Sequence, residues 1–281
     1  MLPHARSDKL QQVRFDWALT VELPRKMHIT LHDEVVLVTG GSRGIGAATV
    51  RAFVAAGAKV VFNYRQDNRA AKRVIESCRD LEGEAIAVRA DVASMAGARR
   101  LVAAALSRFE RVDTLVANAG IWNYDPAPIE RMIEEQWDEM IAVNLKGVYT
   151  LVHYVVPRMI RQKGGKIIVV SSTAGQRGEA FHTHYAASKG GLISFVKGLS
   201  TELARHGILV NCIAPGWVET DMSAPVIKNR REYKQFLSVI PLRRFASPEE
   251  IALPILFLAS PMATFITGEV LNVNGGSVLC G

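Results

Sequence analysis

The 281-residue sequence lacks the features that mark secreted, zinc-binding and membrane-spanning proteins. Its three cysteines, Cys78, Cys212 and Cys280, do not have the paired spacing of a disulfide framework or a zinc site. No apolar run reaches the ~18–20 residues that a bilayer-spanning helix needs. Residues 1–30 are polar, mixed in charge and without the apolar core of a secretory signal. We therefore expect a cytoplasmic protein that holds no metal.

The rest of the composition is that of an ordinary globular domain, since 49% of the residues are apolar and 22% are charged. A chain of this length fits one α/β domain. We expect residues 31–281 to form that domain and residues 1–30 to be a disordered or surface-draped extension. No internal repeat or linker divides the sequence.

Part of the net charge of +7 is concentrated in residues 228–244, where six basic residues accompany one acid. Such a cluster attracts acidic partners, although a solvated helix face would have the same composition. The segment carries no nucleic-acid-binding motif, so we do not expect binding to DNA or RNA.

From Glu34 onward, short apolar runs alternate with helical patterns. This alternation is typical of a single doubly wound, Rossmann-type parallel sheet of about seven strands with helices on both faces, an α/β fold. A polar, proline-containing stretch at about 217–246 interrupts the alternation and is expected to be a substrate lid. The predicted strands are 35–38, 59–64, 85–89, 112–117, 166–171, 208–213 and 268–273, and the predicted helices are 47–56, 94–110, 129–163, 185–204 and 248–260.

A glycine-rich turn follows the first predicted strand and opens the first predicted helix. Its sequence, residues 39–46, is TGGSRGIG. Glycines allow positive φ and let a diphosphate approach the backbone, while a helix N-terminus favours an anion. The order strand, glycine turn, helix therefore predicts a dinucleotide-binding site.

The end of the second strand bears on which dinucleotide binds. An acid at this position usually accepts the ribose hydroxyls, whereas an arginine accommodates a 2′-phosphate. The strand ends at Tyr64-Arg65, and Arg43 lies in the glycine turn. Two guanidinium groups favour NADP(H) over NAD(H). Asp67 is close enough in sequence to leave NAD(H) open.

Ser172, Tyr185 and Lys189 are the candidate catalytic residues. The tyrosine and the lysine are four residues apart, so on a helix both side chains lie on one face. A nearby ammonium would lower the tyrosine pKa and leave it a proton donor. Ser172 follows an apolar run that ends at Ser171, which predicts its hydroxyl at the carboxyl end of a strand, where open α/β sheets bind ligands. This set is suited to polarising a carbonyl and protonating its oxygen.

Several motifs, taken together, resemble those of the short-chain dehydrogenase/reductase family. They are TGGSRGIG (39–46), Asp91-Val92, NAG (118–120), Asn144, Ser172, Tyr185-x-x-x-Lys189 and Pro215-Gly216, and the resemblance covers roughly residues 32–281. Within the family, NLKGVY (144–149), LVNCIAPGWVETDM (209–222) and ITGEVLNVNGG (266–276) look like the 3-oxoacyl-[acyl-carrier-protein] reductases.

The resemblance implies a role for each matched position. Tyr185 would donate a proton to the substrate carbonyl, Ser172 would hydrogen-bond the same oxygen, and Lys189 would hold the nicotinamide ribose. Asn144 would support a water that links Lys189 to a proton relay. The cofactor would also be surrounded by Gly40, Ser42, Arg43, Gly44, Ile45, Gly46, Tyr64, Arg65, Asp91, Val92, Asn118, Ala119, Gly120, Tyr185, Lys189, Pro215, Gly216, Val218 and Thr220.

The resemblance also implies partners. The acidic acyl carrier protein would dock on basic side chains, for which Arg158 and Arg205 are the candidates here. The family is mostly tetrameric through two long helices, near 129–163 and 185–205 in this sequence, so a homotetramer is expected.

Three functions remain open at this point. The first is NADPH-dependent reduction of a 3-oxoacyl thioester, and the second is oxidation or reduction of a sugar, polyol or other secondary alcohol. A non-catalytic nucleotide-binding regulator is the third, which the intact Ser–Tyr–Lys set disfavours. Trp122 and Trp217 are expected to shape the substrate pocket, and His182 and His184 are expected to pack in a loop.

Overall fold

The computed structural model describes residues 29–279. The predicted N-terminal extension, except for Ile29 and Thr30, and Cys280 lie outside the described residues. No helix within 29–279 is long and apolar enough to cross a membrane.

Seven parallel strands form a single sheet in the order β3-β2-β1-β4-β5-β6-β7. The central strands consist of apolar, mostly β-branched residues that are buried on both faces, as expected of a parallel sheet. This confirms the predicted fold class. The strands are β1 Val35–Val38, β2 Lys59–Tyr64, β3 Glu84–Arg89, β4 Thr114–Ala117, β5 Gly165–Val170, β6 Ile208–Pro215 and β7 Val270–Val273.

Helices cover both faces of the sheet. They are α1 Gly44–Ala55, α2 Asn68–Ser77, α3 Met95–Phe109, α4 Glu134–Ile141, α5 Gly147–Gln162, α6 Thr173–Arg177, α7 Thr183–Leu203, α8 Ala224–Lys228, α9 Arg230–Val239 and α10 Pro248–Ala259. Short 3₁₀ turns occupy Ala204–His206 and Pro261–Ala263.

Strand residues alternate between two cores, one on each face. Ile168 and Val170 of β5 pack in the core that includes residues of α1, α2 and α10, whereas Ile167 and Val169 pack in the core with α3, α5 and α7. This period of two follows from the pleat of a strand. The sheet is therefore held between two apolar layers, and only its two ends remain free for a site.

The structure corrects three details of the sequence analysis. Helix α2 was not predicted; Asp67 caps its N-terminus, where the carboxylate accepts from the backbone N–H of Ala70 at 2.8 Å. The predicted helix 129–163 begins only at Glu134 and contains a π-helical turn at Ala142–Lys146. The supposedly irregular stretch 217–246 contains α8 and α9.

The helices in the 217–246 stretch have an apolar core of their own. Val226, Ile240 and Phe245 are buried there against Trp217 and Tyr233, among others. The sequence analysis did not predict this core, because the two prolines and the many charged residues make the stretch polar in composition. We keep the name lid for residues 217–246.

The glycine turn offers a test of packing. A Cβ at Gly46 would lie 2.2 Å from the Gly40 carbonyl oxygen and 2.7 Å from Asn118 Nδ2. Gly46→Ala should therefore lower the free energy of unfolding by about 1–3 kcal/mol and weaken dinucleotide binding. Urea denaturation and fluorescence titration with NADPH measure the two effects.

Gly198→Ala is the matched control, because a Cβ at this exposed position in α7 would meet nothing within 4 Å. It should raise the free energy of unfolding by about 1 kcal/mol through helix propensity. Equal effects of the two substitutions would contradict the role assigned to Gly46.

Candidate active site

The carboxyl ends of the strands gather the candidate residues at one edge of the sheet. Because the strands are parallel, the residues that follow β1 to β6 meet there. These are the glycine turn after β1, Tyr64 and Arg65 at the end of β2, Asp91 and Val92 after β3, Asn118, Ala119 and Gly120 after β4, Ser172 after β5, and Pro215, Gly216, Val218 and Thr220 at and after the end of β6.

Asparagine and threonine side chains fix the glycine turn. Asn63 Oδ1 accepts from the Gly40 N–H at 2.9 Å, and Asn63 Nδ2 donates to the Ala90 carbonyl at 2.8 Å. On the other side, Asn118 Nδ2 donates to the Thr39 carbonyl at 2.8 Å. Gly40 has φ +66, which a residue with a side chain rarely adopts. The turn is thus braced from both neighbouring strands, and Asn63 is a site residue whose role spacing alone did not reveal.

The turn leads into the N-terminus of α1. Arg43, the residue before the helix, makes no side-chain cap, and the first helical backbone bond runs from Ala47 to the Arg43 carbonyl. The N–H groups of the first turn are therefore free to bind an anion. This arrangement fits the diphosphate of a dinucleotide.

Two exposed arginines, Arg43 and Arg65, supply positive charge near the end of β2. Arg65 is exposed, and Arg43 is exposed with Nη1 3.5 Å from Asp221 in the lid. Asp67 caps α2, and its bond with Ala70 is the main cause that lowers its pKa. Tyr64 turns its hydroxyl to Asn68 at 3.0 Å. Asp67, the acid that left NAD(H) open as an alternative in the sequence analysis, is therefore engaged in capping α2.

The structure brings Ser172, Tyr185 and Lys189 together. Ser172 caps α6 by accepting from the Ala174 N–H at 3.1 Å, and it also hydrogen-bonds the Tyr185 side chain. Tyr185 and Lys189 lie on the same face of α7, with Lys189 Nζ 5.8 Å from the centroid of the tyrosine ring. The ammonium group is buried and donates to the Val170 carbonyl, at the end of β5, at 2.9 Å.

The prediction that Lys189 lowers the tyrosine pKa is wrong for the polypeptide alone. Burial raises the pKa of Tyr185 to about 12, and the Ser172 hydrogen bond opposes this rise. Burial likewise lowers the pKa of Lys189 to about 8. Desolvation is the largest cause of both shifts, and neither group contributes to the shift of the other. The tyrosine therefore holds its proton firmly, as a proton donor must before the reaction.

Asn144 lies in the π-helical turn between α4 and α5. Its Oδ1 accepts from the Ile121 N–H at 2.7 Å, and its Nδ2 donates to the Ile121 carbonyl at 3.0 Å and to Ser188 Oγ at 3.1 Å. π-Turns occur frequently at functional sites. Asn144 thus links the loop after β4 to α7, where its partner Ser188 directly precedes Lys189.

Two cavities adjoin this edge, and the lid borders both. The larger, of about 380 Å³, lies between the loop after β4, the start of α7 and the lid; it is lined by Trp122, Asn123, Tyr124, Asp125, Ala127, Gln136, His184, Asp221, Met222 and Pro225. The smaller, of about 320 Å³, lies between α1 and the lid; Gly44, Ala47 and Thr220 are among its lining residues. Asp221 contributes to both.

The aromatic and histidine residues divide between the cavity and the lid. Trp122 lines the larger cavity as predicted and stacks on His182, with ring centroids 5.0 Å apart. Trp217 instead packs in the lid against Phe245, at 5.3 Å. His184, which the sequence analysis assigned to loop packing, lines the larger cavity.

An anion-binding turn next to a buried lysine and a protonated tyrosine can hold a dinucleotide while a proton passes to a carbonyl oxygen. Fold and site together define a dinucleotide-dependent oxidoreductase.

Comparison with known proteins places this class more narrowly. A family model described as "Enoyl-(Acyl carrier protein) reductase" matches residues 40–277. The chain belongs to the short-chain dehydrogenase/reductase family.

Relatives cover nearly all of the described chain. It is 44% identical over 247 residues to a 3-oxoacyl-[acyl-carrier-protein] reductase of Synechocystis, covering 88% of this chain and 97% of the relative. The crystal structure of the Brucella melitensis 3-ketoacyl-(acyl-carrier-protein) reductase complexed with NADH is similar with a TM-score of 0.81 and 34% identity, covering 88% of this chain and 99% of that one. Levodione reductase has a TM-score of 0.82 and 31% identity, with 88% and 98% covered. The chain is therefore a nicotinamide-dependent enzyme.

The buried ammonium makes stability depend on pH. Between about pH 8 and pH 10, the folded chain has released the Lys189 proton while the unfolded chain still binds it, so the contribution of Lys189 to the free energy of unfolding should rise with pH. Buried Cys212 and Tyr185, whose pKa values are raised to about 11 and about 12, contribute with the opposite sign. Lys189→Met should raise stability near pH 7 by up to about 3 kcal/mol and flatten this rise. Urea denaturation at pH 7, 8, 9 and 10 without nucleotide measures both.

Lys197→Met, an exposed position on the same helix, serves as the control and should leave the pH dependence unchanged. A pH dependence of stability that is the same in the wild type and in Lys189→Met would contradict the assignment.

Proposed function

We propose that this protein reduces the 3-keto group of an acyl thioester carried by acyl carrier protein, with NADPH as the reductant. The observation that carries the proposal is the 44% identity to a protein named 3-oxoacyl-[acyl-carrier-protein] reductase, 97% of whose length is covered. The hydrogen-bonded pair of Ser172 and Tyr185 is consistent with a ketone substrate.

In this proposal, the chain's own residues position the ketone and supply the proton. The bound nicotinamide supplies the hydride to C3. Ser172 and Tyr185 bind the carbonyl oxygen, and Tyr185 donates its proton as negative charge develops there. Lys189 offers its ammonium group to the nicotinamide ribose. Asn144 acts through its bonds to Ile121 and Ser188, which hold the loop after β4 and α7 at a fixed distance.

The proposed reaction is tested with acetoacetyl-acyl carrier protein. NADPH oxidation should be readily measurable with the wild type. Tyr185→Phe should lower kcat by at least about 100-fold, because it removes the proton donor, while the Kd for NADPH stays within about twofold. Stopped assays for the 3-hydroxy product and fluorescence titration provide the two readings.

Ser172→Ala should also lower kcat. Ser238→Ala, at an exposed position in the lid, should leave kcat unchanged. Lack of turnover of acetoacetyl thioesters together with rapid reduction of a sugar or cyclic ketone would reject the proposed substrate. Full activity of Tyr185→Phe would reject the proposed chemistry.

NADPH is the proposed cofactor because the guanidinium groups of Arg43 and Arg65 are exposed, while Asp67 is engaged in the cap of α2. A 2′-phosphate would replace Asp221 as the partner of Arg43. The cofactor residues named from the family resemblance complete the proposed site.

Arg43→Ala should raise the KM for NADPH by at least about tenfold and leave the KM for NADH nearly unchanged, since a charge-assisted bond is lost only with the phosphate. Initial-rate kinetics with both cofactors measure the difference. Arg79→Ala, at an exposed position just after α2, is the control. Equal loss with NADH and NADPH would contradict the assignment.

The proposed docking surface for the carrier protein is the lid. Lys228, Arg230, Arg231 and Lys234 are exposed on α8 and α9, close to Met222 and Pro225 at the larger cavity. The candidates named from the family resemblance lie elsewhere. Arg158 donates to the Glu110 carbonyl at the end of α3, and Arg205 follows α7, so both are at the opposite edge of the sheet of the same chain.

Charge reversal distinguishes the two surfaces. Arg230→Glu combined with Arg231→Glu should raise the KM for acetoacetyl-acyl carrier protein about tenfold, and less at high salt. The KM for acetoacetyl-N-acetylcysteamine, which carries no acidic protein, should not change. Arg99→Glu combined with Arg100→Glu on α3 is the matched control. If Arg205→Glu alone weakens the carrier-bound reaction, the docking surface is at the other edge.

We also propose a homotetramer, as the family resemblance implies. Support comes from exposed apolar side chains along α4 and α5, where Trp137, Tyr149 and Ile160 are 40%, 47% and 36% exposed.

A second candidate function is dehydrogenation or reduction at a secondary alcohol or small cyclic ketone. The structural similarity to levodione reductase and the polar residues Asn123, Asp125 and Gln136 in the larger cavity favour it.

A further inference from the structure

The larger cavity meets the catalytic helix at His184. Of the two neighbouring residues at the start of α7, His184 lines this cavity, and Tyr185 follows it directly. Adjacent helical side chains point about 100° apart, so a substrate whose ketone lies at Tyr185 would reach His184 only with a group beyond the reacting carbonyl.

His184 has hydrogen-bonding capacity that the described chain does not use. Its side chain is 1% exposed, and its buried Nδ1 has no hydrogen-bond partner among residues 29–279. Burial and the neighbouring His182 lower the pKa of His184, so the ring is neutral at pH 7. A neutral imidazole has one N–H donor and one acceptor nitrogen. Because an unpaired buried polar atom is costly, a nitrogen of this kind in a cavity wall is suited to pair with a polar group of a ligand.

The turn before α7 holds this histidine in place. Phe181 has φ +64, an uncommon conformation for a bulky residue, and its carbonyl accepts from the Ala127 N–H at 2.8 Å. His182 stacks on Trp122. Two contacts across the cavity wall thus fix the backbone that carries His184.

Other residues that line the cavity are polar as well. Asn123 and Gln136 supply amide groups, and Asp125 and Asp221 supply carboxylates. A cavity that receives only an alkyl chain would be lined mainly by apolar groups. The lining therefore matches an oxygen-bearing or amide-bearing part of the substrate.

We propose that His184 is a specificity-determining residue that hydrogen-bonds a second oxygen of the substrate, next to the reacting ketone. This inference rests on the proposed function, in which that oxygen is the thioester carbonyl of the 3-oxoacyl group. One methylene separates the two carbonyls of such a substrate and lets them rotate relative to each other, so their oxygens can be bound by side chains that point in different directions. His184 is assigned to binding, while proton donation belongs to Tyr185.

The test compares His184→Phe and His184→Asn on three substrates with NADPH. The substrates are acetoacetyl-N-acetylcysteamine, an α-hydroxyketone, and a monoketone without a second oxygen. His184→Phe should raise the KM for the thioester at least about tenfold with kcat within about twofold, and should leave the monoketone unaffected. His184→Asn, which keeps a polar group, should recover most of the loss. His32→Phe, an exposed histidine before β1, is the matched control.

The outcomes separate this inference from the proposed function. Equal losses on thioester and monoketone, or no loss on either, would overturn the role of His184. If the wild type reduces the hydroxyketone but no thioester, the proposed function fails. In that case the role of His184 is tested with the hydroxyketone: His184→Phe should raise its KM and leave the KM for the monoketone unchanged. Thermal unfolding and NADPH titration of each variant show whether the folded protein is being measured, and His184→Asn keeps the test valid if His184→Phe does not fold.

Discussion

One geometric constraint determines this site: all seven strands point the same way. The carboxyl ends of β1, β4, β5 and β6 therefore meet at one edge, and residues distant in sequence become neighbours without any element built for that purpose. Asn118 reaches Thr39 across 79 positions for this reason. Site geometry is thus a consequence of register, and the two apolar cores hold that register.

Within this frame, the buried Lys189 ammonium is costly for folding. Its partner is a single backbone carbonyl, that of Val170, and burial lowers its pKa to about 8. A residue that contributed only to packing would be better apolar. The cost is understandable if the ammonium group is needed by a ligand that the folded chain holds against α7.

The sequence predicted the elements whose signals are local. Strand positions, the glycine turn and the common face of Tyr185 and Lys189 follow from periods of 2 and 3.6, and the structure agrees. Asn144 depends on a π-turn and on contacts with Ile121 and Ser188, which no spacing encodes. The prediction that the pKa of Tyr185 is lowered was wrong for a related reason: the burial that raises it depends on the whole fold. By contrast, α9 was detectable: Asn229 followed three positions later by Glu232 is a helix-start signature.

The lid couples the two halves of the site. Asp221 lines both cavities and faces Arg43 of the glycine turn, while Glu232 of α9 accepts from the Tyr124 hydroxyl in the loop after β4 at 3.0 Å. A phosphate that binds Arg43 would compete with Asp221, since both are anions. Met222 and Pro225 of the same lid line the larger cavity and Thr220 lines the smaller one, so the lid contributes to both parts of the site.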